Sequence, residues 1–282
     1  MPQSNTETQL AVITIQHCTF GVLKSTMLGL AAVWLSCASA LECALPLQVP
    51  AIVLEQRVVL FGEIHGTNES PLLVGEYVCF NLKVGKKVKL ALELPVSLNP
   101  ELQDYLRGDG SSAAKQKILA DPFWSRSFQD GRSSLAMFRL IERARVMMQD
   151  TNQLTVHPIA SGDSAQMAAT LATVIEEDPQ SSVISLTGNA HAAIVKGRYQ
   201  NPDFEPMGYR LEKYRPYNVS IEFGKGSAWV CTASCGVKDM SGRLSMEGTE
   251  LGFLTKGGAI PGYKATYLIR EVTPSFPATS TQ

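Results

Sequence analysis

Glu63, His65 and Glu69 lie close together in FGEIHGTNES, with Gly62 and Gly66 on either side of the histidine. The same Gly-x-x-His spacing returns far along the chain as Gly188–His191 in SLTGNAHAA. Between them stand Glu93, at the end of VKLALEL, and Asp163, a few residues after LTVHPIA. An imidazole beside a carboxylate can take a proton near neutral pH, the carboxylate fixing its tautomer and raising its pKa. Two histidines and a carboxylate can also ligate a divalent ion that activates water. His65, Glu63, Glu93 and His191 are therefore the candidate catalytic residues. His65, His191 and Glu63 are the candidate ligands of a zinc, manganese or cobalt ion. Glu69 and Asp163 are supporting candidates, each with a competing structural role. Glu69 precedes Ser70–Pro71, where a carboxylate favours a helix start, and Asp163 would cap a helix beginning at Ser164. The chain contains no Gly-x-Ser-x-Gly elbow, and no cysteine stands at these strand ends, so water is the expected nucleophile of an enzyme built here.

These residues can meet only if the segments carrying them are neighbours. Val58–Phe61 and Val88–Leu94 are apolar at successive positions, as central parallel strands are. Leu154–Ala160 and Ser181–Gly188 read as two more strands. Helical patterns fill the intervals: one from Ser70 to Gly85, one from Ser133 to Gln149, and one from Ser164. Alternating strands and helices predict an α/β fold, one domain over 41–272 with a mostly parallel central sheet flanked by helices. The carboxyl ends of such strands share one edge, where ligands bind. After Asn201 the pattern turns to strands. Gly224–Gly226 between YNVSIEF and SAWVCTA suggests a hairpin, 236–262 reads as a loop, and 273–282 as a disordered tail. The histidines, as residues of the rim, are expected to contribute little to stability.

The chain of 282 residues carries 25 Lys and Arg against 26 Asp and Glu and shows no basic stripe, which argues against a nucleic-acid partner. Lys24, the apolar run Met27–Leu35 and Ala38-Ser39-Ala40 describe a secretory signal over 1–40, or an N-terminal anchor that would be the sole point of membrane association. An exported, periplasmic or secreted protein follows. Four cysteines would remain, Cys43, Cys79, Cys231 and Cys235. Two disulfides could form from them, with three pairings open and Cys231–Cys235 able to close a small loop.

LFGEIHGTNE, LALELP and SLTGNAHA together resemble the superfamily of erythromycin-esterase-like, ChaN-like and Tiki (TraB-like) domains, in order across most of 55–200. The resemblance implies an α/β fold with a site built from Glu63, His65, Glu93 and His191. The esterase-like branch implies a hydrolase with a histidine base and no required metal, the Tiki-like branch a metal-dependent peptidase, and the ChaN-like branch haem binding in the bacterial envelope. The chain is shorter than an erythromycin esterase and lacks its helical additions, which argues against macrolide hydrolysis. An exported hydrolase of a small-molecule or peptide substrate is the leading reading, and a haem-binding envelope protein without enzymatic activity the alternative.

Overall fold

Successive residues of the strand ending in Glu63 serve two different cores. Val59 and Phe61 point into one, Val58 and Leu60 into the other, because side chains alternate across a strand. This is why the segment is apolar throughout and why helices must cover both sheet faces.

The computed structural model describes residues 43, 47–198, 201–244, 247–255 and 260–280. The signal segment predicted over 1–40 lies outside them. In chain order the elements are α1 (Ala51–Leu54), β1 (Val58–Glu63), α2 (Glu69–Lys83), β2 (Val88–Pro95), α3 (Asn99–Arg107), α4 (Ser112–Leu119), α5 (Pro122–Ser125), α6 (Leu135–Asp150), β3 (Leu154–Ala160), α7 (Ser164–Glu177), β4 (Ser182–Gly188), α8 (Asn189–Ala192), α9 (Met207–Arg210), β5 (Tyr217–Cys231), β6 (Cys235–Ser241), β7 (Gly252–Leu254) and β8 (Ala265–Val272). The strands form an eight-stranded sheet in the order β3-β2-β4-β1-β5-β8-β7, with β6 paired to β5. β4 is parallel to both β1 and β2, β3 to β2, and β5 to both β1 and β8. The antiparallel pairs, β5–β6 and β7–β8, belong to the C-terminal part. Residues of α2, α3 and α6 build the core on one face, and those of α7 and α9 the core on the other. No helix among the described residues is long and apolar enough to cross a membrane.

The predicted parallel α/β sheet with flanking helices is the fold observed. Asp163 and Gln166 form a reciprocal capping box at the start of α7, and Ser134 caps α6 by accepting from the Met137 amide. Ser70 lies inside α2 and does not cap it: the helix opens at Glu69, and the Ser70 hydroxyl accepts from Thr67.

Three C-terminal expectations need correction. The chain makes no hairpin at Gly224–Gly226. β5 runs on as one strand to Cys231, because Gly226 takes φ +133° and brings its backbone against Val272 of the parallel neighbour β8. The hairpin closes instead at Cys231 and Cys235, which face each other across β5–β6 and are disulfide-linked. Residues 236–262, read as a loop, contain β6 and β7. The tail is packed over 273–280. The Ser275 amide donates to the Gly66 carbonyl, the Leu135 amide to Phe276 and the Ala278 amide to Ser133, and Ser275 is buried. A proline-rich strip with no hydrophobic period looks disordered in sequence, but here the loops of the rim supply its backbone partners. The second disulfide joins Cys43 to the buried Cys79 on α2.

Candidate active site

The carboxyl ends of β1, β2 and β4 open into a cleft of about 440 Å³. Glu63 is the last residue of β1, Glu93 lies near the end of β2, and Gly188 ends β4. His65 stands between the two carboxylates. Its Nδ1–H donates to Glu63 Oε1 at 2.9 Å, and its Nε2 faces Glu93 Oε2 at 3.4 Å. Glu93 is held in turn by the Gly188 amide, which donates to Oε2 at 2.7 Å, and by Arg132 Nη1 at 3.1 Å from Oε1. Arg132 also pairs with Asp130 at 2.6 Å, and Asp130 with Arg126 at 2.7 Å. Opposite charges thus alternate through the wall of the cleft.

Two glycines make this convergence sterically feasible. Gly66 adopts φ +87°, and a Cβ there would lie 1.9 Å from the Trp229 carbonyl oxygen; a Cβ on Gly131 would lie 1.9 Å from the Gly66 amide. The loops carrying His65, Trp229 and Arg132 can touch only because both positions lack a side chain.

Electrostatics gives the residues different protonation states. Burial works against a charge on His65, but Glu93 and Glu63 outweigh it and push its pKa up to about 10. Burial likewise opposes charge on Glu93, and the imidazolium overcomes it, holding the carboxyl down at about 2. Glu63 is raised, since its burial outweighs the pull of His65. His191 is lowered, mainly by burial with Glu93 opposing, so it is neutral near pH 7. The His65 pKa lies above its unfolded value, so its stabilising contribution is complete below about 6.5 and disappears as pH rises through about 10. The Glu93 pKa lies below its unfolded value, so its contribution is complete above about 4.5 and disappears as pH falls through about 2. Thermal melts across pH should therefore show a decline in stability between about pH 6.5 and 10 that a His65→Gln variant lacks.

His191 lines the same cleft, reached from β4 through α8. Its Nδ1 is 2.8 Å from the Ser164 hydroxyl at the start of α7. His65, Glu63, Glu93 and His191 thus come together as the duplicated motif predicted. Glu69 and Asp163 do not join them. Glu69 accepts from the amide and hydroxyl of Thr273, tying α2 to the C-terminal segment. Asp163 spends its carboxylate on the Ala165 and Gln166 amides. Sequence reasoning missed Asp130, Arg132, Ser164 and Trp229. Asp130 and Arg132 sit on a loop between helices, outside the strand-end pattern. Their one available signal was Gly131 between two opposite charges just before a helix cap.

Each ring nitrogen of His65 faces a carboxylate oxygen, so an ion bound to His65 would have to take the place of its contact with Glu63 or with Glu93. The cleft presents Ile64, Ala190, Trp229 and Val230 as apolar surface beside the charged Glu63, Glu93, Asp130 and Arg132.

Fold and site together define an α/β protein whose cleft, lined by charged and apolar side chains, sits at the carboxyl edge of a mostly parallel sheet. This architecture is similar to that of an erythromycin esterase mutant in its open conformation, with TM-score 0.60 at 9% identity over 78% of this chain and 92% of that one. It is also similar to a succinoglycan biosynthesis protein, with TM-score 0.55 at 8% identity over 80% and 90% of the two chains. A Bacillus cereus protein gives TM-score 0.51 at 11% identity over 80% and 91%. No family model matches the chain, and no curated protein matches it by sequence. The likenesses establish the fold, the one expected from the erythromycin-esterase-like resemblance.

Proposed function

We propose that this protein hydrolyses a carboxylic ester, with water as nucleophile and His65 as general base. One observation carries the reading: Glu63 fixes His65 through Nδ1, leaving Nε2 directed toward Glu93 in a cleft that also contains the neutral His191. In its base form, His65 Nε2 takes a proton from water as the water oxygen attacks the ester carbonyl carbon. Negative charge develops on the carbonyl oxygen, where a neutral His191 can donate a hydrogen bond once Ser164 has fixed its tautomer. Collapse breaks the bond to the alkoxy oxygen. His65 returns its proton to that oxygen, giving a carboxylic acid and an alcohol. Glu93 orients the array through Gly188 and Arg132 and, with a pKa of about 2, remains a carboxylate throughout. An ester is favoured over a peptide bond because an alkoxide leaves more readily than the amine of a peptide, so water and a histidine base suffice.

The test is hydrolysis of 4-nitrophenyl acetate by the purified protein, before and after dialysis against EDTA. Turnover should be equal in both. Loss of turnover in EDTA, restored by zinc, manganese or cobalt, would contradict the water-and-histidine reading.

A further inference from the structure

Trp229 joins the cleft to exposed apolar side chains on the side of the β5–β6 hairpin. Trp229 lines the cleft, and its ring centroid lies 5.6 Å from that of Phe276. Val237 is the cross-strand partner of Trp229 in β6, so the two side chains project from the same face of the hairpin. Phe276 is 40% exposed and Val237 44% exposed. The platform is firmly anchored. The Trp229 indole N–H donates to the Gln129 carbonyl at 2.9 Å, and its amide donates to the Gly66 carbonyl at 2.9 Å, next to His65. Backbone bonds from Ser275 and to Phe276 fix the other half.

Fixed aromatic and aliphatic surface left open to water beside a reactive cleft is where the apolar part of a ligand gains most by burial. The charged groups lie deeper, around His65, and Trp229 belongs to both regions. A molecule filling both would be amphipathic, its ester group against His65 and an apolar group along Trp229.

We propose that the substrate is an ester bearing an extended apolar group, which lies on the shelf formed by Trp229, Val237 and Phe276. This rests on the hydrolase reading above. Full burial of one methylene corresponds to roughly a fourfold gain in binding, and a half-open shelf returns only part of that.

Two ester series test the proposal: 4-nitrophenyl acetate, butyrate and octanoate for the acyl side, and methyl, butyl and octyl acetate for the alcohol side. In at least one series, kcat/KM should rise about tenfold or more from the shortest to the longest member, as expected for partial burial of several methylenes. Phe276→Ser and Val237→Ser should each remove most of that rise, lowering the long-to-short ratio several-fold. Both side chains are well exposed, so the variants should fold, and thermal melts check this. A flat chain-length profile with measurable turnover overturns the shelf and leaves the hydrolase reading standing. So does a rise that survives both substitutions. Dimerisation that Phe276→Ser abolishes would also overturn it, by assigning the shelf to a second copy of the chain. No hydrolysis of any ester overturns the hydrolase reading and the shelf with it.

Discussion

His65→Ala should lower ester hydrolysis by about 10²–10⁴-fold, the usual effect of removing a positioned proton-transfer group. Its stability should fall as well, which revises the expectation for a histidine of the rim. The ring stands between Glu63 and Glu93, both almost fully buried, and pairs with each. Removing it leaves the buried Glu63 without its cation and Glu93 with Arg132 alone, and breaking such a pair from one side costs about 3 kcal/mol. Denaturant unfolding at pH 6 should show that loss, and it should shrink at lower pH as the carboxylates protonate. His191→Ala gives the contrast: its only described side-chain hydrogen bond is to a neutral hydroxyl. It should lose activity at a much smaller cost in stability. A His65→Ala protein as stable as the parent at pH 6 would show that the two carboxylates do not depend on the ring.

Leu92→Ala should behave in the opposite way. Leu92 is completely buried at the centre of β2, flanked by β3 and β4 and part of the core under α2 and α6. Truncation removes apolar contact and leaves a cavity in a packed layer, at a cost of roughly 2–5 kcal/mol. Its side chain belongs to the apolar core, so activity per folded molecule at low temperature should stay within a few-fold of the parent. Urea unfolding gives the first quantity and active-site-normalised rates the second. A variant with normal stability and no activity would mean that Leu92 shapes the site directly.

These two residues also show what the sequence could reveal. Leu92 sits in a segment buried on both faces, so the apolar run itself marks a central strand, and Pro95 marks its end. Glu63, Glu93 and His191 could be found because each interrupts or follows such a run, and parallel strands bring those interruptions to one edge. Arg132 carried no comparable mark. Its loop has no period, and its place beside Glu93 is set by Gly131 packing on Gly66, a contact between distant segments. The same applies to Trp229. Gly224–Gly226 reads locally as a turn, but the pairing with β8 keeps β5 extended and carries Trp229 up to the cleft. Asp163 shares the composition of site residues yet caps a helix, a use that local sequence describes equally well, whereas Glu69 is bound to Thr273 of a distant segment, which local sequence does not describe.

The pH dependence of kcat/KM for an ester tests the central claim most directly. At neutral pH His65 is protonated by virtue of its two carboxylate neighbours, and only its base form can take a proton from water. After subtraction of the uncatalysed rate, log kcat/KM should climb with a slope near one between about pH 7 and 9, because the base fraction grows tenfold per pH unit below the pKa. The rise should be absent in His65→Gln. A profile that levels off by pH 7, or a rise that persists without His65, would contradict a base held between Glu63 and Glu93.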